Sequence, residues 1–353
     1  MELFELPLEN STHLTTQLKN IAIQNGYSYK RFKRAVYKLL ETDFGRVWQR
    51  RRKILRLLRT YGKADQRTTE WLQRRSEMIT ASEVTKAFKT ASPSLRKELL
   101  QKKVAPNKND GVMNTACTWG NQFEPIIKKI YGDLFDAEIV DTTCVRHPIH
   151  SFLGASPDGI VFTKKPSPNW GKLVEFKCPF SRKFTQESPI PDEYYHQMQM
   201  QMECTGLDEC DYVEAQFKTT TQTLWRASSS PYKGVFAIYD NGTIDYMDNS
   251  VEFASWKKTL QGDEYRIIYW TLENLRITNV KKELGWIETH IGDLLEFWNI
   301  VKECRDDPSK TEHYMNQIGQ RDVPSASPLE TCENPAPSDG LSSGHKKTLR
   351  LEL

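Results

Sequence analysis

The segment LVEFKCPF, residues 173–180, places a glutamate and a lysine two positions apart inside an apolar run. Side chains along a β-strand repeat with period two, so Glu175 and Lys177 project to the same side. Upstream, LGASPDGIVF (153–162) is a second strand-like run, interrupted by a Pro-Asp-Gly turn that presents Asp158. Sixteen residues separate Asp158 from Glu175. A hairpin would therefore bring two carboxylates and an ammonium group together.

Hard oxygen ligands in such a group suit Mg²⁺ or Mn²⁺, which hold a phosphate oxygen and lower the pKa of a bound water. The lysine would stabilise charge that develops on the attacked phosphate, or would orient the water. A single buried ion pair is the structural alternative for Glu175 and Lys177. The second carboxylate, from Asp158, favours the metal interpretation.

The elements that position these residues belong to a chain of 353 residues, 38% of them apolar, which can bury a sizeable core in one large domain or two smaller ones. No window approaches the ~18 consecutive apolar residues of a membrane span, and the acidic N-terminus lacks the features of a secretion signal. Seven scattered cysteines without a C-x-x-C pair predict neither a disulfide framework nor a zinc site. We expect a soluble protein in a reducing intracellular compartment, with nucleus and cytoplasm both open.

Positive charge is concentrated in the first 60 residues, which hold thirteen Lys or Arg against five Asp or Glu. Residues 1–65 are predicted to form a helical basic accessory region whose densest part is the amphipathic helix RVWQRRRKILRLLR (46–59). A solvated helix face, contact with phosphate backbones, nuclear import and partner docking all remain open for this helix. The main domain is predicted over 66–304, and residues 305–353, rich in Pro, Ser and Gly, are predicted to be disordered.

Five collinear motifs resemble the phage lambda exonuclease and YqaJ-like viral recombinase family of the PD-(D/E)XK nuclease superfamily. The motifs are WLQRRSEMITASEV (71–84), WGNQFEPIIKKIY (119–131), SPDG (156–159), EFKCPF (175–180) and YYHQMQMQM (194–202). The resemblance runs from Trp71 to about Phe217, and more weakly through 266–273. It implies an α/β fold with a mixed central sheet flanked by helices, here with a helical basic N-terminal extension.

For the metal centre, the resemblance implies that Asp158 bridges two Mg²⁺ or Mn²⁺ ions and that Glu175 and the backbone carbonyl of Phe176 ligate one of them. Glu124 would contact metal directly or through water, and Lys177 would be the catalytic lysine. The alternative for Glu124 is a surface glutamate near a helix start.

For the surrounding residues, the resemblance implies that Gln197 orients the water or the catalytic lysine, with Gln199 as the nearby alternative and Tyr194 in support. Arg75 and Ser82 match positions close to a 5′ phosphate, which suits a guanidinium fork. A helix beginning at Ser82 would add N–H donors, although Ser82 as a simple N-cap explains the same pattern.

Three histidines invite a metal assignment, but their surroundings indicate polar loop and helix residues. They are His147, His150 and His196.

The overall interpretation is a metal-dependent 5′-to-3′ exonuclease acting on double-stranded DNA ends in viral recombination, repair or genome processing. An endonuclease, a nuclease that also cuts RNA, and a catalytically silent DNA-binding scaffold are the alternatives. The family implies a single-strand annealing partner and a trimeric ring around DNA. An insertion near 219–262, with a hairpin turn at Asn241-Gly242, and the basic N-terminal region leave that ring open for this chain.

Overall fold

The structure is a computed structural model that describes residues 43–61, 68–106, 115–163, 167–262, 264–320 and 348–349, together with a few residues between 20 and 34. Most of residues 1–42, and nearly all of the predicted tail beyond 320, lie outside the described residues. The prediction of disorder for that part of the tail stays a prediction.

The described part of the chain contains ten α-helices and a 3₁₀ turn at Ala81–Glu83. The helices are α1 Asp43–Tyr61, α2 Thr69–Ser76, α3 Val84–Ala87, α4 Pro93–Val104, α5 Thr115–Phe135, α6 Asp192–Thr205, α7 Gln222–Ala227, α8 Phe253–Thr259, α9 Trp286–Asp306 and α10 Lys310–Gln320. None of these described helices is both long and apolar enough to cross a bilayer.

The strands form one large mixed sheet and one small sheet. They are β1 Ile79–Thr80, β2 Ala137–Val140, β3 Val145–Arg146, β4 Leu153–Ala155, β5 Gly159–Thr163, β6 Leu173–Lys177, β7 Glu209–Thr220, β8 Lys233–Tyr239, β9 Ile244–Tyr246, β10 Tyr265–Lys281 and β11 Thr348–Leu349. The large sheet has the order β2-β5-β6-β7-β10-β8-β9, with β11 paired to β10, and the small sheet has the order β1-β4-β3.

The centre of the large sheet combines a hairpin with a crossover. Strands β5 and β6 are antiparallel, with Gly159 opposite Val174, whereas β6 and β7 are parallel. A parallel pair needs a crossover connection, and α6 supplies it. Every residue of α6 from Gln197 to Met202 is buried, which is typical of a helix packed within a core rather than on a surface. The crossover therefore holds polar side chains against the sheet.

The basic helix α1 packs directly on the main domain instead of standing apart from it. Ile54 is fully buried, and Gly171, at the end of the β5–β6 connection, lies so close that an added Cβ would be 2.6 Å from the Ile54 Cδ1 atom. Arg50 pairs with Glu209 at 3.0 Å, and Lys53 donates to the carbonyl of Gly206 at 2.7 Å. One face of the helix is therefore committed to intramolecular contacts.

The predicted insertion is folded onto the sheet. Its Asn241-Gly242 pair forms the expected turn between β8 and β9, with Gly242 at a φ of +83°. This confirms the predicted hairpin. The long β10 pairs with β7 on one side and with β8 on the other, so the insertion extends the main sheet.

The boundary predicted after residue 304 differs from the structure. Helix α9 continues to Asp306, and α10 follows over 310–320 with Ile318 buried in the core. Composition averaged over residues 305–353 concealed this helix, because the Pro- and Ser-rich part begins only at about residue 323.

Replacing Ile54 by alanine tests the docking of α1. We expect Ile54→Ala to lower the free energy of unfolding by about 2–5 kcal/mol, because it removes a buried side chain and leaves a cavity against the β5–β6 connection. The exposed Arg56 is the control, and Arg56→Ala should stay within about 0.5 kcal/mol. Urea unfolding measures both, and equal effects would contradict the packing of α1.

Candidate active site

The β5–β6 pairing brings Asp158 next to the end of β6, as the sequence predicts. The backbone N–H of Phe176 donates to Oδ2 of Asp158 at 2.7 Å. Since Asp158 directly precedes Gly159, which lies opposite Val174, the carboxylate is placed beside Glu175 by the ladder itself. The predicted convergence of Asp158 and Glu175 is confirmed.

Glu175 is the central carboxylate, and its side chain is only 1% exposed. Its Oε1 atom accepts from Nζ of Lys177 and from Nε2 of Gln197, both at 2.5 Å. Its Oε2 atom accepts from Nε2 of Gln201 at 2.6 Å. A buried carboxylate is tolerated only when it is paired and hydrogen-bonded, and these three donors meet that requirement.

Lys177 lies between the carboxylates and α6. Its ammonium also donates to Oε1 of Gln197 at 3.3 Å and lies 4.6 Å from the ring centroid of Tyr194. Burial by itself would lower the pKa of Lys177, but the charges of Glu175 and Asp158 outweigh it and raise the pKa above its usual value. Lys177 is therefore positively charged, with 21% of its side chain exposed to solvent.

Negative charge exceeds positive charge at this site. Burial, followed by the charges of Glu175 and Glu124, raises the pKa of Asp158 well above its usual value. Glu124 is half-buried on α5, and its charge also contributes, after burial, to raising the pKa of the Cys178 thiol. Burial and the neighbouring carboxylates therefore disfavour the charged form of Asp158, and a further cation between these carboxylates would offset that repulsion.

The donor set fits a divalent cation in its chemistry. Carboxylate oxygens of Glu124, Asp158 and Glu175, with the carbonyl of Phe176, are the hard ligands that Mg²⁺ and Mn²⁺ prefer. Within the described ranges no three His, Cys, Asp or Glu side chains already form a metal-ligand cluster. Both oxygens of Glu175 instead accept hydrogen bonds, so a cation would have to share that carboxylate with Lys177 or Gln201.

The histidines lie in other surroundings. His147 Nδ1 accepts from the backbone N–H groups of Ile149 and His150 in a turn. His196 Nδ1 accepts from the indole of Trp286 at 3.0 Å. Both contacts are structural.

Arg75 and Ser82 lie together in a second polar cluster. One guanidinium nitrogen of Arg75 donates to the hydroxyls of Thr80 and Ser82, each at 3.2 Å, and the group stacks over Trp71 at 4.3 Å. The indole of Trp71 donates to Ser156 at 3.2 Å, two residues before Asp158. The cluster thus adjoins the segment that leads to the carboxylates.

The helix predicted to begin at Ser82 begins earlier. Thr80 is the N-cap residue of the 3₁₀ turn, and its backbone N–H and hydroxyl both bond the carboxylate of Glu83. Although burial raises the pKa of Glu83, the charges of Lys103 and Lys102 hold it below its usual range. Ser82 is consequently not the cap, and its exposed hydroxyl bonds Arg75.

Gln199 does not reach the site, contrary to its predicted supporting role. Its amide bonds the carbonyl of Lys281 at 3.0 Å and the N–H of Glu283 at 2.8 Å. Gln201 was missed and contacts Glu175 instead. The helical spacing of four residues from Gln197 places both side chains on one face and could have indicated this.

With this geometry in place, comparisons with known proteins identify the central part of the chain. Residues 70–208 match the YqaJ-like viral recombinase domain. The predicted family resemblance is confirmed, and we call these residues the YqaJ-like segment. It contains both polar clusters described above. The mixed sheet with its surrounding helices confirms the predicted α/β architecture.

The chain also matches a viral protein. An uncharacterized protein, R354, of Acanthamoeba polyphaga mimivirus is 29% identical over an alignment of 174 positions that covers 47% of this chain. The match spans 32% of that protein, so this chain covers about a third of the length of its relative.

Two exonucleases are among the solved structures to which this chain shows similarity. An alkaline exonuclease from Laribacter hongkongensis is 20% identical with a TM-score of 0.42, covering 72% of this chain and all of that one; it has also been solved with dAMP. A phage-related exonuclease from Haemophilus somnus 129PT is 13% identical with a TM-score of 0.35, covering 69% and 96% of the two chains.

The charge excess predicts that divalent cations stabilise the fold. We expect Mg²⁺ or Mn²⁺ to raise the Tm progressively with concentration. At one hundred times the Kd, the free energy of unfolding should rise by about 2.7 kcal/mol. Asp158→Asn should remove most of this response, whereas Asp307→Asn, in the loop between α9 and α10, should leave it unchanged. Differential scanning calorimetry measures it, and an identical response of the Asp158 variant would contradict metal binding here.

Proposed function

We propose that this chain is a metal-dependent deoxyribonuclease that degrades double-stranded DNA from its ends in the 5′-to-3′ direction. The observation that carries the proposal is the buried Glu175 carboxylate, held by Lys177 and by two glutamines beside Asp158. The match of residues 70–208 to a viral recombinase domain supports the same function.

Each residue of the site would have its own role in the reaction. Asp158, Glu175, Glu124 and the carbonyl of Phe176 would hold Mg²⁺ or Mn²⁺. When bound, such a cation supplies Lewis-acid activation of the phosphate and a water of lowered pKa. Lys177, charged and partly exposed, would stabilise the negative charge that develops on the attacked phosphate.

The glutamines of α6 position these groups. Gln197 contacts both Lys177 and Glu175 and would keep the ammonium directed at the phosphate. Gln201 fixes the other oxygen of Glu175. Because both amides come from one buried helix, the carboxylate and the lysine are held before substrate arrives, which lowers the cost of orientation in the transition state.

Arg75 and Ser82 would bind the terminal 5′ phosphate. A guanidinium beside hydroxyl groups suits a phosphate dianion, and the stacking on Trp71 restricts its orientation. Contacts to phosphates carry no base information, so the enzyme would cut largely without sequence preference. A single-strand annealing protein as partner, and assembly into an oligomer around DNA, remain proposals that follow from the family alone.

Digestion of three DNA forms tests the proposal. We expect Mg²⁺-dependent loss of 5′-phosphorylated linear duplex, slower loss of the unphosphorylated duplex, and survival of closed circles, with EDTA abolishing all cutting. Lys177→Ala should lower the rate by about 10²–10³-fold, because a charged donor to the transition state is lost. Lys310→Ala, on α10, is the matched control.

The other outcomes of this assay identify the alternatives. Cutting of closed circles would indicate an endonuclease, and equal loss of duplex RNA would indicate a nuclease that accepts both nucleic acids. Binding of DNA without metal-dependent cutting of any form would overturn the proposal in favour of a silent DNA-binding scaffold. Circular dichroism of Lys177→Ala shows whether the variant keeps its fold.

Arg75 should account for the preference for a terminal phosphate. We expect Arg75→Ala to digest phosphorylated and unphosphorylated ends at nearly equal rates, with the loss confined to the phosphorylated substrate and amounting to about 10–100-fold, the equivalent of ~1.5–3 kcal/mol for a charged hydrogen bond. The adjacent exposed Arg74 provides the control, since Arg74→Ala should retain the preference. A phosphate preference that survives Arg75→Ala would contradict this role.

A further inference from the structure

The loop that follows β6 presents an exposed aromatic ring beside the candidate site. Phe180 lies three residues after Lys177 and is 52% exposed. Among the exposed large hydrophobic side chains of the described residues it is the aromatic one; the others are aliphatic. A solvent-exposed aromatic ring at this location is a stronger indication of a binding partner than a scattered surface leucine is.

The ring of Phe180 is held in place. It contacts the Trp119 ring edge-on, with centroids 5.4 Å apart and an interplanar angle of 68°. The other end of the loop is anchored, because Phe184 is buried and its carbonyl accepts from Asn274 at 2.8 Å. Between the two ends, the guanidinium of Arg182 pairs with the buried Glu214. A ring fixed in this way loses little conformational entropy when it binds a partner.

Positive charge accompanies the ring. Lys177 lies at the base of the loop, where its ammonium contacts Glu175, and Lys183 is exposed three residues beyond Phe180. An aromatic side chain interleaved with cationic groups is the pattern with which proteins bind single-stranded nucleic acid, the cations contacting the backbone and the ring stacking on a base. The loop therefore combines the two features on one short segment.

We propose that Phe180 stacks against an unpaired nucleobase of the DNA strand whose phosphate lies at Lys177. The inference rests on the proposed function. Three extended residues span at most about 10 Å, and successive phosphates of a B-form strand rise about 3.4 Å, so the base belongs to a nucleotide within about three positions of the scissile phosphate. Stacking there would hold the melted end of the strand in the site.

Binding measurements with a single-stranded oligonucleotide test the stacking. In the Lys177→Ala background with Mg²⁺, fluorescence anisotropy gives the Kd of a labelled 12-nucleotide DNA. We expect Phe180→Ala to weaken binding by about 5–100-fold, the range for loss of one base–aromatic stack. Phe180→Tyr should bind within about twofold of the parent, because it keeps a ring of similar shape.

Leu284→Ala is the matched control for loss of an exposed apolar side chain. Leu284 is 93% exposed and follows the end of β10, where Lys281 is opposite Glu209 in the antiparallel pair of β7 and β10. Glu214, which is opposite Lys177 in the parallel pair of β6 and β7, lies five residues along β7 from Glu209. Leu284 therefore follows a part of the sheet that does not carry Lys177. A loss of affinity in Leu284→Ala equal to that in Phe180→Ala would overturn the proposal.

Abasic substitutions locate the stacked base. Each position of the oligonucleotide is replaced in turn by an abasic nucleotide, which keeps the phosphate and removes the ring. We expect the abasic replacement at one position to weaken binding to the parent protein by the same factor as Phe180→Ala does. The same replacement should not weaken binding to the Phe180→Ala variant any further. Additive losses at every position, or an unchanged Kd for Phe180→Ala, would refute stacking.

The two proposals fail in different ways. A parent chain that digests no nucleic acid with Mg²⁺ would refute the nuclease, while the abasic series still measures stacking in the binding assay. A parent chain that digests DNA normally, with a Kd that Phe180→Ala does not change, would refute stacking alone. The melting temperature of Phe180→Ala, at a half-exposed position, checks that the fold is retained.

Discussion

The rest of the structure depends on the need to supply hydrogen-bond donors to one carboxylate inside the protein. Glu175 is buried on a central strand, where an unpaired charge would cost several kcal/mol. Its two oxygens accept from Lys177, Gln197 and Gln201, and these donors come from only two elements, β6 and α6. The parallel pairing of β6 with β7 is what requires a crossover helix at this position, and the crossover in turn brings the amides over the strand.

The same constraint explains why the sheet around the site is polar where a core is usually apolar. Glu214, opposite Lys177 on β7, is fully buried and is neutralised by Arg276 at 2.6 Å and by Arg182. Asp211, opposite Val174 in the parallel pair of β6 and β7, accepts from the hydroxyl of Tyr131 at 2.7 Å. Each buried charge has a partner from a different element, so the polar network fixes how those elements lie relative to one another.

The residues that carry chemistry were predictable where a local rule decides their position. Strand periodicity predicted that Glu175 and Lys177 share a face, and the Pro-Asp-Gly turn predicted the approach of Asp158. The segment TASE also shows a capping box, Thr80 with Glu83, and this local signal identifies the true cap better than Ser82 does. For Gln199 and Gln201, a tertiary contact decides which side chain reaches Glu175. The helix pattern alone did not distinguish between these glutamines. The docking of α1 was likewise beyond local rules, because a basic amphipathic pattern does not say what covers its apolar face.

The packing of α1 against residues far along the chain has a consequence for the order in which the chain folds. Arg50 and Glu209 are separated by 159 residues, and Lys53 contacts a carbonyl 153 residues further along. Contacts of such sequence separation form late, since the loop between them must first be closed. The surface that receives α1 exists only after the β5–β6 connection and the start of β7 have assembled. The apolar side of α1 therefore stays uncovered until about 150 residues beyond it have been made, and the arginines beside that side would oppose association of the uncovered helix in the interval.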